Sequence, residues 1–116
     1  LATGLVASDL MRALDLPVNE DGRLRLSSSL QALGHDRIFA VGDCAVIDND
    51  PRPCVGVFGV RAAPILVHNF VALARGRPMA AYHPQRRWLS IMDLGDGTGL
   101  ALRGRLWWLG AAALYL

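Results

Sequence analysis

Gly42 and Asp43 follow a four-residue apolar run, Ile38-Phe39-Ala40-Val41. Such a run reads as a strand buried on both faces. In α/β folds the carboxyl end of such a strand is where ligands bind. Glycine lets a ligand come close to the backbone. A carboxylate just beyond it accepts hydrogen bonds from a sugar-like polyol. An ordinary turn after a strand uses the same two residues, so spacing alone leaves both readings open.

Other reactive residue types form weaker patterns. Cys44 and Cys54 are neither a CxxC redox pair nor a zinc half-site, and two cysteines are too few for a disulfide scaffold. Cys44 reads as a small packed residue rather than a reactive thiol. His35, His68 and His83 are scattered without ligand spacing, and no metal site is expected. Asp48-Asn49-Asp50 resembles the start of a calcium loop, but Pro51 and Pro53 stand where glycine and further ligands are required. No side chain qualifies as a catalytic acid or base.

The elements that must position these residues follow from periodicity. Ser8 is a candidate N-cap for a short helix with Leu10, Met11 and Leu14 inward, and Pro17 forbids its continuation. Arg23-Leu24-Arg25-Leu26 alternates as a half-buried strand does. Residues 48–53 form a loop by composition. The spacing then predicts a helix from about Val60 to Ala74, with Ile65, Leu66, Phe70 and Leu73 inward. Gly76 and Pro78 end it. Trp88 to Leu94 and Leu100 to Leu102 read as two strands joined across Gly95-Asp96-Gly97-Thr98-Gly99 by a tight turn. Residues 106–116 are apolar and shorter than the ~20 needed to span a bilayer. Trp107 and Trp108 beside Arg103 and Arg105 suit a helix lying in a membrane interface. Packing within a larger protein, or at a dimer interface, would use the same residues.

Composition sets the outer bounds. The 116 residues allow one domain, and 53% hydrophobic with 19% charged residues excludes intrinsic disorder. A net charge of +2 is too small to argue for nucleic acid. All 12 basic residues are Arg, which reads as a genome-composition bias. No charged leader is visible before the first apolar residues. Starting at Leu1 and stopping inside an apolar run, the sequence reads as a piece of a longer chain.

The strand ending in Gly42-Asp43 resembles the second flavin-binding motif of flavoproteins with two dinucleotide-binding domains. Ala2-Thr3-Gly4, upstream by about the expected separation, is similar to the short motif that joins their NAD(P)H domain to their FAD domain. Residues 55–64 with the helix beyond them match the segment that in this family points a helix amino end at the flavin. The likeness is to the C-terminal part of FAD-dependent pyridine nucleotide-disulfide oxidoreductases. Within them it is to type II NADH dehydrogenase-like members of the kind joined to selenide, water dikinase. Residues 53–69 and His83-Pro84-Gln85-Arg86-Arg87 carry the narrower match. Val57, Arg61 and Ala62 stand where quinone-reducing members have Gln.

The resemblance implies specific roles. Asp43 would bind the ribityl hydroxyls, and Gly42 would permit the approach. Val60 and Arg61 would present backbone N–H groups to the flavin, where unpaired donors and the helix dipole favour negative charge. Pro64 would sit in the helix's first turn, where its missing N–H is no loss. Thr3 and Gly4 would shape the domain junction. The implied fold is α/β, a C-terminal fragment of a Rossmann-like FAD/NAD(P)-binding flavoprotein ending in a β-hairpin and helix. Residues 1–78 would complete the FAD domain, and 79–116 would serve an interface or a membrane. The implied activity is electron transfer from NAD(P)H through FAD to an acceptor such as a quinone. The alternative is a non-catalytic oligomerisation or membrane-docking module. Expected partners are a small-molecule acceptor, a membrane surface and a second copy in a homodimer, with no nucleic acid. The implied location is cytoplasmic, peripheral on the inner membrane face.

Overall fold

The computed structural model describes residues 5–116, so Thr3 and Gly4 lie outside the described residues. It shows mixed helix and sheet in two compact units that divide between Pro84 and Gln85, later than the boundary expected after residue 78.

The first unit begins with a short helix, α1 (Asp9–Ala13). Its N-cap Ser8 accepts a hydrogen bond from the Leu10 N–H at 3.3 Å. Asp9 in the first turn and Arg12 in the last suit the helix dipole. The expected inward face is only partly realised. Met11 packs on the core, whereas Leu10 and Leu14 are exposed. Strand β1 (Leu24–Leu26) buries both leucines and turns Arg25 outward, as its alternation requires.

The partner of β1 is not the Ile38–Val41 run. Strand β2 (Ala45–Ile47), just beyond Gly42-Asp43, pairs parallel with β1 in the register Leu24↔Ala45 to Leu26↔Ile47. Residues 38–41 instead lie against residues 30–32. Ala32 N–H donates to Ile38 O at 2.8 Å and Ala40 N–H to Leu30 O at 3.2 Å. Leu30 and Gly34 have φ of +68° and +77°, so the facing segment is bent and only an isolated Gln31↔Phe39 bridge forms. Ile38 is exposed, which overturns the expectation of burial on both faces. The sheet is clamped at its far end: Arg25 Nε and Nη2 reach the two Asp48 carboxylate oxygens at 2.6 and 2.9 Å.

Helix α2 (Gly56–Ala74) starts four residues before the expected Val60, and its 19 residues span about 28 Å. Pro64 consequently lies inside the helix rather than in its first turn, leaving the Val60 carbonyl without its usual helical donor. The buried residues are Phe58, Ala62, Asn69 and Ala72. Ile65 and Leu66 are partly buried against the core, but Phe70 is half exposed, its ring edge-on to Phe39 at 4.9 Å. By length and mean hydropathy α2 could cross a membrane. Here its small residues Ala62 and Ala72 lie buried within the unit. It ends as expected: Gly76 at φ +59° lets Gly76 N–H reach Leu73 O and Arg77 N–H reach Ala72 O.

The second unit is an antiparallel sheet of β3 (Ser90–Asp93), β4 (Gly99–Arg103) and β5 (Leu106–Gly110). The β3–β4 hairpin is the expected one. Its loop is wider than a two-residue turn, closing with Leu94 N–H on Thr98 O and side-chain caps from Asp93 and Asp96. The expected terminal helix is overturned. Gly104, at φ +63°, reverses the chain after Arg103, and residues 106–110 pair along the whole of β4. Paired tryptophans favour that extended state. A 3-10 helix (Ala111–Tyr115) follows, burying Ala113 and laying Leu114 against Gly99. Met92, Leu102, Trp107 and Leu109 remain exposed on the sheet.

Candidate functional site

The turn between residues 41 and 45 depends on Gly42. Its φ of +81° is the left-handed conformation that glycine adopts without strain. The amino end of α2 packs directly on this turn. A Cβ built on Gly59 would stand 3.3 Å from the Gly42 Cα, so two glycines permit the close approach. The family resemblance implied that these two segments face one ligand, and the fold brings them into contact.

A cleft of about 60 Å³ opens beside this contact, lined by Gly42, Asp43, Arg52, Phe58, Ala62 and Tyr82 among others. Asp43 is exposed at the cleft and has no ion-pair partner among the described residues. The Cys54 thiol lies near it. Burial pushes that thiol's pKa up; Arg23 opposes the shift, while Asp43 and Asp21 add to it. A thiol so held stays protonated and is a poor nucleophile. Cys44 donates weakly to Val41 O at 3.5 Å.

Tyr82 closes the inner wall. Only 8% exposed, it donates its hydroxyl to Phe58 O at 3.1 Å and so ties the first turn of α2 to the cleft. Burial raises its pKa, and the nearby positive charges of Arg61 and Arg52 pull the other way. Arg52 lies between Pro51 and Pro53 and is held by Asp50, Nη2 to Oδ1 at 2.6 Å.

The available helix amides are not those of Val60 and Arg61. With α2 starting at Gly56, Val60 N–H is the first to reach a carbonyl within the helix, and Arg61 follows it. Phe58 N–H is taken by Val55 O at 3.0 Å. The amides that no helical carbonyl can reach belong to Gly56 and Val57. Arg61 stays close enough to act on Tyr82, and Val60 is 73% exposed. Sequence reasoning missed Arg52 and Tyr82. A charged residue between two prolines just before a helix was the available signal for Arg52, and nothing in the sequence distinguished Tyr82.

No family model matches the chain. It is 32% identical over 102 residues to Ferroptosis suppressor protein 1 of Homo sapiens, covering 85% of this chain and 26% of that protein. The Mus musculus protein of that name is 31% identical over 88 residues, 75% of this chain and 23% of that protein. Demethylphylloquinone reductase NdbB of Synechocystis sp. is 32% identical over 123 residues, 97% of this chain and 30% of that protein. The chain is related to the type II NADH dehydrogenase-like oxidoreductases. This bears out the likeness carried by Gly42-Asp43 and the residues around it. The chain spans about a quarter of the length of the curated relatives it matches.

Proposed function

We propose that the chain is the C-terminal part of an FAD-dependent NAD(P)H oxidoreductase, with a quinone as electron acceptor. The observation that carries the reading is the seating of the Gly42-Asp43 turn against the amino end of α2, on one cleft. The residues fit FAD. Space beside Gly42 is open, Asp43 offers a carboxylate to hydroxyls, and Gly56 and Val57 offer amides where the helix dipole favours negative charge. Thr3 and Gly4 keep the junction role that their motif implies. When bound, FAD supplies the hydride- and electron-transfer chemistry. Asp43 holds its sugar-alcohol arm, Gly42 admits it, and Tyr82 fixes the helix end that faces it. The name of the Synechocystis relative, a demethylphylloquinone reductase, supports a quinone acceptor.

The second unit belongs to the same proposal as a membrane-facing element that brings the enzyme to a lipid-soluble acceptor. Exposed Met92, Trp107 and Leu109 support it, with Arg103 and Arg105 flanking the β4–β5 turn. Such pairing of aromatic and cationic groups suits an interface of anionic lipid.

One preparation tests both parts: full-length protein mixed anaerobically with NADH or NADPH and anionic vesicles containing a quinone. The expected result is loss of the yellow flavin absorbance with either nucleotide and its return when the quinone vesicles are added. A colourless protein, or one that neither nucleotide bleaches, contradicts the oxidoreductase reading. The protein is expected to pellet with the vesicles, and less so after Trp107→Asp. Protein left in the supernatant contradicts the membrane part alone, and a dimer held by this sheet would be its replacement.

A further inference from the structure

The three-stranded sheet of the second unit has two unlike faces. Side chains alternate across a strand, so the pairing register sorts them. Gly99 and Ala101 share one face; the 3-10 helix lays Leu114 and Ala113 over Gly99, and Ala101 is buried. Ser90, Met92, Leu100, Leu102, Trp107 and Leu109 share the other, and none of them carries a charge. Met92, Trp107 and Leu109 are each more than half exposed there.

The charges gather at the two ends of the sheet instead. Arg103 and Arg105 flank Gly104 in the β4–β5 turn, and the Arg87 Cδ lies 3.9 Å from where a Gly104 Cβ would stand. All three arginines are exposed, and none has an ion-pair partner among the described residues. The acids are at the opposite end, where Asp93 and Asp96 cap the β3–β4 loop. The length of β4, Gly99 to Arg103, separates the ends by roughly 13 Å, more than the ~8 Å screening length of physiological salt. The acids therefore do little to neutralise the arginines. Cations crowded around one glycine repel each other, and a layer of anions relieves that repulsion. Arginine forks fit phosphate oxygens in particular.

The apolar residues decide which phosphates these are. Leu106 and Trp107, 76% and 69% exposed, follow directly on Arg105. A free phosphate would leave them in water, whereas an anionic lipid surface takes them together with the arginines. We propose that the β4–β5 turn is the edge of this unit that enters an anionic phospholipid surface. Arg87, Arg103 and Arg105 bind lipid phosphates, the uncharged face meets the acyl chains, and the acidic loop stays in water. The inference rests on the membrane part of the function proposed above, to which it adds the lipid class and the direction of entry.

The test is the partition of full-length protein onto vesicles of phosphatidylcholine, with and without phosphatidylglycerol, measured by sedimentation. Wild type is expected to bind the phosphatidylglycerol vesicles about tenfold more tightly or better. That preference should vanish at about 1 M salt, where the screening length falls to about 3 Å. One arginine near such a surface is worth about fivefold in partition, so Arg103→Gln with Arg105→Gln should cost about 25-fold on anionic vesicles. Binding of that variant to phosphatidylcholine alone should be unchanged. Asp93→Asn with Asp96→Asn should weaken neither, and a loss there as large as the arginine variant's overturns the direction of entry. Where the arginine variant does not fold, the lipid preference and salt dependence of wild type carry the test alone. Equal binding of wild type to both vesicles overturns the arginine edge and leaves the membrane reading intact. Binding to neither overturns the membrane reading itself.

Discussion

Asp43 and Asp48 flank the same short strand, β2, and differ in what surrounds them. Asp48 is bound by both Arg25 nitrogens, and that hydrogen bonding holds its carboxyl below the usual carboxylate range. A carboxyl whose folded pKa is lowered contributes stability above its unfolded value, and loses it as pH falls through the folded one. The stability gap between wild type and Asp48→Asn in urea unfolding is therefore expected at pH 6. It should shrink as pH falls below about 4. A gap independent of pH would show that the ion pair contributes nothing. Asp43 has no such partner, and its carboxylate remains available at the cleft. This distinction was legible only in part. Gly42-Asp43 stood out through its resemblance to a flavin-binding motif, since an ordinary turn after a strand uses the same two residues. The Arg25–Asp48 pair joins residues far apart in sequence, and no local pattern marks it.

At the scale of elements, α2 shows why boundaries escaped the sequence. Gly56 and Gly59 disfavour helix by propensity, so the apolar spacing from Val60 onward was the stronger signal. Tertiary packing overrides it: Gly59 abuts Gly42, and Phe58 is fixed through its carbonyl by Tyr82. A residue on the helix, Asn69, then locks its other half. Wholly buried, its amide donates to Ser29 O and Ala80 O and accepts from Ala80 N–H, at 2.8–2.9 Å. Asn69→Ala would leave three partly buried backbone groups without their partner. The expected loss is about 2–4 kcal/mol in denaturant unfolding. A loss under 1 kcal/mol would mean that water replaces the amide and the helix is held by its apolar contacts (roughly the cost of one ordinary hydrogen bond). A polar residue within an apolar stripe was the visible hint; its three partners were not. The tail was misread for a related reason. Apolar runs with tryptophan suit helix and strand alike, and Gly104 decided the matter by turning the chain back along β4.

For the molecule as a whole, the first unit holds the cleft beside Gly42 and Asp43, and the second is an apolar sheet. Exposed Val60, Val67 and Val71 on α2 agree with a unit that packs on further chain. The relatives are three to four times as long as the segment they share with this chain. The order of motifs was legible in the sequence because each depends on a few residues next to one another. The cleft was not, since it is assembled from loops whose contacts span the whole unit. The account turns on whether the carboxylate at that cleft grips a flavin. The direct measurement is the FAD dissociation constant of the full-length protein, by flavin fluorescence, for wild type and Asp43→Ala. A lost charge-assisted hydrogen bond of about 1.5–3 kcal/mol corresponds to roughly tenfold to hundredfold weaker binding, and that is the expected result. An Asp43→Ala protein that binds FAD as tightly as wild type would contradict the account.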